Sequence, residues 1–346
     1  MRALVLTGVG EFSVTEKEKP ACPDGGILIK VKACGLCGSD IRNLYNGHQH
    51  ISYPRTIGHE VCGIVEEISY SYSGDYKYGE RIAVGPMVYC GQCEFCMSGR
   101  HELCESTREL GQQWDGGFAE YMAIPKEAFT CGSISRVPDT MKDEHATLSE
   151  PASSCVNAQE KAGIGMGDTV LIIGSGPIGC MHISLAKSRG AKCVIVADVS
   201  ADRLELCKKF GADITINSAI ENLQERIAQI TNGKGVEVII TANPVGATQV
   251  QAVELAKKGG RVVFFGGLPK DNSRPGIDTN LIHYKGLHVM GVSTFNPRHY
   301  RLAVEAISSG KIPAELLVTE VFKLEDFKKG LEIARSGKAL KIVFMP

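Results

Sequence analysis

Four cysteines, Cys90, Cys93, Cys96 and Cys104, stand in a C-x2-C-x2-C-x7-C arrangement. Two-residue spacers let neighbouring thiolates converge on one ion, and four thiolates fill a tetrahedral zinc shell with no open position. The chemistry expected of this segment is therefore structural, a metal stapling a loop. Nothing else in the chain points to electron transfer, which favours zinc over an iron–sulfur cluster. A second set is dispersed: Cys37 lies 22 residues before His59 in Gly58-His59-Glu60, and Glu150 comes much later in Leu148-Ser149-Glu150-Pro151. A thiolate, an imidazole and a carboxylate leave one zinc position for water or substrate, as catalysis requires. Spacing alone does not separate this set from ordinary packed side chains.

A third pattern is Gly174-Ser175-Gly176-Pro177-Ile178-Gly179, directly after the apolar run 169–173 and before a helical pattern. Strand, GxGxxG and helix occur in the order that cradles a pyrophosphate. The first glycine allows the tight turn, the second a close backbone approach, the third close helix packing, and the helix offers unpaired N–H groups to the anion. Asp198 stands nineteen residues after Gly179, where a carboxylate accepts from an adenosine ribose diol. That charge favours NAD over NADP, while Arg203, in the helix that follows, keeps NADP open.

The elements that must hold these groups read as two textures. Residues 1 to about 149 are loop-rich with short alternating segments such as 27–33, an irregular and mainly β pattern. Beyond about 160, β-rich runs at 169–173, 193–197, 214–216, 236–241, 261–265 and 287–290 alternate with helical stretches, the clearest being 177–188 and 202–210. Six strands separated by helices predict a doubly wound parallel sheet, so the fold class is α/β. The last fifty residues predict helices at about 299–308 and 324–336 and a strand at 341–344 that returns to the first domain.

Composition narrows the function classes. The 346 residues carry 38 Lys+Arg against 39 Asp+Glu, and no run of five like charges occurs, so no field for capturing nucleic acid or an acidic membrane is expected. No stretch reaches eighteen apolar residues and no signal-like core opens the chain, which predicts a cytoplasmic protein. Thirteen cysteines, an odd number without a secretion signal, argue for metal binding and reduced thiols over a disulfide framework.

Taken together, Gly58-His59-Glu60-Val61-Cys62-Gly63, the Cys37-Gly38-Ser39-Asp40 box, the four-cysteine lobe, Asp115-Gly116-Gly117-Phe118-Ala119-Glu120-Tyr121, Glu150-Pro151 and the glycine turn resemble the zinc-dependent medium-chain dehydrogenases, especially the sorbitol (polyol) dehydrogenase branch. The resemblance runs over nearly the whole chain. It implies a GroES-like catalytic domain at 1–155 with a structural-zinc lobe at about 88–106, a Rossmann domain at 156–291, and a return to the catalytic domain at 292–346. It further implies two zinc ions per chain, one catalytic on Cys37, His59 and either Glu60 or Glu150, and one structural on the four-cysteine lobe.

The same resemblance gives Ser39 the role of passing on the substrate proton. Capping the short helix 41–45 is that serine's other reading. Lys341 is placed near the cofactor phosphates, and a homodimer or homotetramer is expected. Where several relatives carry a relay histidine this chain has Arg42, which leaves the outward proton path open. The activity implied is reversible oxidation of a secondary alcohol of a polyol, sugar alcohol or sugar-alcohol phosphate, with hydride passing to NAD. L-Threonine 3-dehydrogenase and a general secondary alcohol dehydrogenase are the alternatives, and a non-catalytic NAD- and zinc-binding protein is the reading outside enzymology.

Overall fold

In the computed structural model, which describes all residues Met1–Pro346, the chain divides into two units. One comprises Met1–Ser153, Phe295–Gly310 and Ala314–Pro346; the other comprises Ser154–Thr294 and Lys311–Pro313.

The first unit is built on an eight-stranded sheet. Its central path runs Val318–Lys323, Lys341–Met345, Ile27–Gly35, Glu60–Ile68, Arg81–Val88 and Arg108–Glu109, with Tyr121–Ile124 and Gly132–Arg136 pairing onto it. The strand Ile27–Gly35 lies between Lys341–Met345 and Glu60–Ile68, with Gly35 opposite Val343 on one side and Glu60 on the other. Three strand ends far apart in sequence therefore meet at Gly35. Alternating residues Ile27, Ile29 and Val31 enter a core with Val61, Val65, Phe118, Phe327 and Phe344. Each such buried side chain contributes roughly 1.5–3 kcal/mol, and together they hold the strand ends in register.

In the second unit the expected parallel sheet is present. Its spatial order is Ile214–Asn217, Cys193–Asp198, Thr169–Ile173, Val236–Thr241, Ala256–Phe264, His288–Gly291, all neighbours parallel. Chain order reverses direction between Thr169–Ile173 and Val236–Thr241, and ligands of such sheets bind beyond the carboxyl ends at that point. Valines and isoleucines fill the strands because both faces are covered by helices.

Several boundaries differ from the sequence expectation. The strand Val318–Lys323 has no counterpart in it, because its exposed edge pattern of charged and polar residues lacks apolar periodicity. The strand expected at 261–265 begins at Ala256, since Lys257-Lys258-Gly259-Gly260 bulges out of register yet stays in the strand. The helix expected at 324–336 opens with a 3-10 turn, Leu324–Asp326, before Phe327–Ser336. No helix is long and apolar enough to cross a membrane.

Candidate active site and metal centres

The loop between Arg81–Val88 and Arg108–Glu109 brings Cys90, Cys93, Cys96 and Cys104 together, their sulfur atoms all within 4.8 Å of one another. The Cys93 amide donates to Cys90 Sγ and the Cys90 amide to Cys104 Sγ, both at 3.3 Å. Such N–H donors stabilise thiolates. Backbone N–H groups lower the pKa of Cys93, and at Cys104 they outweigh the opposing effect of burial, whereas burial pushes Cys96 up to about 12. Four clustered sulfurs with amide donors aimed at them fit a closed zinc shell.

Cys37, His59 and Glu60 form the second cluster, with ligand atoms likewise within 4.8 Å. Cys37 is the N-cap of the helix Gly38–Asn46, and Asp40, its N3 residue, accepts from the Cys37 amide at 3.0 Å. This corrects the expectation that Ser39 caps that helix. Ser39 Oγ instead lies 3.4 Å from His59 Nε2. Asp40, 1% exposed, also engages the imidazole, with its Oδ1 3.1 Å from His59 Nδ1. That contact holds the Nδ1–H tautomer and leaves Nε2 for a metal. Burial disfavours the imidazolium, but the Asp40 carboxylate overcomes it and raises the His59 pKa well above the ordinary value.

Glu60 is 0% exposed and hydrogen-bonded by Lys341, itself 5% exposed. The Lys341 ammonium also donates to the Leu36 carbonyl at 3.2 Å. Burial works against the charge of Lys341, yet Glu60 raises its pKa. The position expected beside cofactor phosphates is thus committed to Glu60. Gly35 makes the arrangement possible, because a Cβ there would fall 2.1 Å from Glu60 Oε2. Glu150 is buried nearby but outside the ligand cluster; burial raises its pKa to about 7, with the Glu60 charge adding to the effect and His59 opposing it.

Among these residues, Asp40 and the Lys341 contact were missing from the sequence reading of the site. Asp40 had a local signal, its N3 position after Cys37. The Lys341 contact had none, because it spans 281 positions.

In the second unit the glycine turn has the geometry its sequence suggested. Gly174 has φ +117°, a Cβ at Gly179 would fall 2.0 Å from the Gly174 carbonyl oxygen, and a Cβ at Gly176 would meet no protein atom within 4 Å. The space over Gly176 is open, at the start of the helix Pro177–Ser188, where Pro177 and Ile178 form the first turn. Asp198 accepts from the Ser175 amide at 2.7 Å and from the Ser200 amide at 3.0 Å. Burial opposes its charge, but these donors outweigh it and hold the pKa below the usual carboxylate range. Ser200 caps the next helix, accepting from the Arg203 amide at 3.4 Å.

Comparison with known proteins agrees with this architecture. Residues 23–135 match the alcohol dehydrogenase GroES-like domain and residues 177–309 the zinc-binding dehydrogenase family. A sorbitol dehydrogenase of Halalkalibacterium halodurans is 32% identical over 100% of this chain and 99% of its own, and an L-threonine 3-dehydrogenase of Thermococcus kodakarensis is 34% identical over 96% and 94%. Among solved structures, a zinc-binding dehydrogenase of Sinorhizobium meliloti bound to NADP superposes with a TM-score of 0.92 at 32% identity, covering 100% of this chain and 99% of its own. An alcohol dehydrogenase of Escherichia coli CFT073 complexed with NADH gives 0.90 at 30%, with the same coverage. With the GroES-like and Rossmann elements both in place, the chain belongs to the zinc-dependent medium-chain dehydrogenases, in their sorbitol dehydrogenase-like branch, and is an oxidoreductase.

Proposed function

We propose that the protein is a cytoplasmic, NAD-dependent polyol dehydrogenase that reversibly oxidises a secondary hydroxyl of a polyol, sugar alcohol or sugar-alcohol phosphate to a ketone. The observation that carries this reading is the convergence of Cys37, His59 and Glu60, with the Ser39 hydroxyl 3.4 Å from His59 Nε2. When bound, zinc supplies Lewis acidity toward the substrate hydroxyl and the dinucleotide supplies the hydride acceptor.

The residues of the chain do the rest. Cys37, His59 and Glu60 hold the catalytic metal, and Asp40 orients the imidazole. Ser39 takes the proton of the substrate hydroxyl onward. Glu150, buried beside that set, is the carboxylate that would reach the metal through water or on rearrangement. Cys90, Cys93, Cys96 and Cys104 hold the structural zinc and take no part in the chemistry. Gly174, Gly176, Pro177, Ile178 and Gly179 cradle the pyrophosphate, while Asp198 receives the adenosine ribose with Arg203 beside it. Thirteen free cysteines suit a reducing compartment. The unpaired edge strand His288–Gly291 is a surface on which a second copy could extend the sheet, in keeping with a homo-oligomer.

L-Threonine is the second reading. Threonine dehydrogenases match this chain as closely as sorbitol dehydrogenases do, and Arg42 follows Ser39 by three residues on the helix Gly38–Asn46, where it could receive a substrate carboxylate. An NAD-linked screen over polyols, polyol phosphates, threonine and simple secondary alcohols, with and without chelator, decides between them. Chelator-sensitive turnover of a polyol supports the main reading. Failure of every class on zinc-replete protein, or full activity of Cys37→Ser, overturns it.

A further inference from the structure

Only two non-glycine residues have positive φ. Asn232, at 50°, is the left-handed C-cap of a helix, an ordinary place for asparagine. Thr294, at 52°, has no such excuse: it is β-branched, and its Cβ makes the left-handed conformation strained. Strain of this kind persists where the surroundings over-determine it and is concentrated at ligand sites.

The surroundings are identifiable. Asn157, 0% exposed on the helix Ser149–Lys161, donates from Nδ2 to the Thr294 carbonyl at 2.9 Å, while its Oδ1 has no partner in the protein. The location is equally specific. Thr294 follows the strand His288–Gly291 at the carboxyl edge of the parallel sheet, where neighbouring strand ends are laced together. The Ala242 amide donates to Ile173 O at 2.8 Å, Gly266 to Thr241 O at 2.9 Å, and Val292 to Phe264 O at 3.4 Å. These bonds make one shelf from the glycine turn to residues 292–294. A dinucleotide crosses such a shelf at the reversal of strand order, with one nucleotide on each half of the sheet. The glycine turn and Asp198 take the adenosine half, which leaves the Thr294 end for the nicotinamide.

We propose that Asn157 is a positioning residue for the nicotinamide half of the cofactor: by holding the Thr294 carbonyl it locks residues 292–294 in the strained shape that this half requires. The inference rests on the dinucleotide reading above and is separable from it by using two ligands. NADH carries both halves, whereas ADP-ribose lacks the nicotinamide.

Fluorescence titration with NADH and calorimetry with ADP-ribose test the idea. In Asn157→Leu, which keeps the branching at Cγ but has no donor, NADH affinity is expected to fall about tenfold, the effect of one buried hydrogen bond, with ADP-ribose affinity unchanged. Thr294→Gly, which accepts positive φ without strain, makes the lock dispensable, so Asn157→Leu in that background should cost less than about twofold. Unchanged NADH affinity in Asn157→Leu, equal losses for both ligands, or an undiminished loss in the double variant overturns the proposal. Should Asn157→Leu not fold, Asn157→Ser decides: its shorter side chain cannot reach the Thr294 carbonyl, so NADH should weaken and ADP-ribose be spared, and equal effects on both overturn the idea. Wild-type protein that binds neither ligand overturns the dinucleotide reading instead.

Discussion

Lys341 Nζ lies 2.6 Å and 2.7 Å from the two carboxylate oxygens of Glu60, in a pair shielded from solvent on both sides. The contact joins the first residue of the closing strand to the residue after His59, across the end of Ile27–Gly35. Burying two charges costs several kcal/mol each, so the pair persists only because each neutralises the other and the Leu36 carbonyl takes a further ammonium hydrogen. A carboxylate keeps additional lone pairs when so engaged, which leaves Glu60 able to face a metal while Lys341 holds it.

Replacing Lys341 by Met strands the Glu60 charge. Zinc-free protein should lose about 3–5 kcal/mol of stability, and zinc-loaded protein markedly less, because the cation takes over as counter-ion. Urea unfolding of the two forms checks this; equal losses would remove Glu60 from the ligand set.

Asp40→Asn keeps the shape of the contact with His59 Nδ1 but discards the charge. Zinc affinity or turnover should fall about 10–100-fold, as for other partners that orient a metal-bound histidine. Chelator competition and steady-state kinetics measure the two quantities, and the four-cysteine zinc should be retained.

Metal analysis separates the two centres. Wild-type protein should hold two zinc ions per chain. Cys37→Ser should lose one together with activity, whereas Cys93→Ser should lose the other and lower the thermal midpoint. Full zinc content in both variants would refute the assignment.

Asp198→Ala removes the carboxylate proposed to receive the ribose diol. The specificity constant for NAD should drop about tenfold or more, and the preference over NADP should narrow. Parallel kinetics with the two cofactors give the ratio.

His182 predicts an acid-side stability loss. It is 0% exposed, its Nε2 has no partner, and burial drives its pKa down to about 3. Unfolded, it binds a proton near its ordinary 6.5. Between those values the unfolded state therefore holds more protons, and stability falls with falling pH by up to about 1.4 kcal/mol per unit. His182→Met should flatten that slope between pH 6 and 4 (about two units), measured by denaturant unfolding at each pH. An identical slope in the variant would mean that another group titrates there.

Local patterns carry the four-cysteine lobe and the glycine turn, whereas the Cys37–His59 set is legible only through its resemblance to a family. The two-residue spacers of Cys90, Cys93 and Cys96 bring their sulfurs near one another with little help from the rest of the fold. Strand, glycine turn and helix are contiguous from Thr169 to Ser188, so that turn is legible as a string. What the string lacks is information about partners brought in by long-range strand pairing. The choice between Glu60 and Glu150 in the Cys37–His59 cluster depends on three strand ends meeting at Gly35. The same meeting delivers Lys341 to Glu60, and a helix that begins at Ser149 delivers Asn157 to Thr294. Periodicity and spacing report on neighbours within a turn or a hairpin; these contacts span more than a hundred residues, and only the packed core brings them within hydrogen-bonding distance.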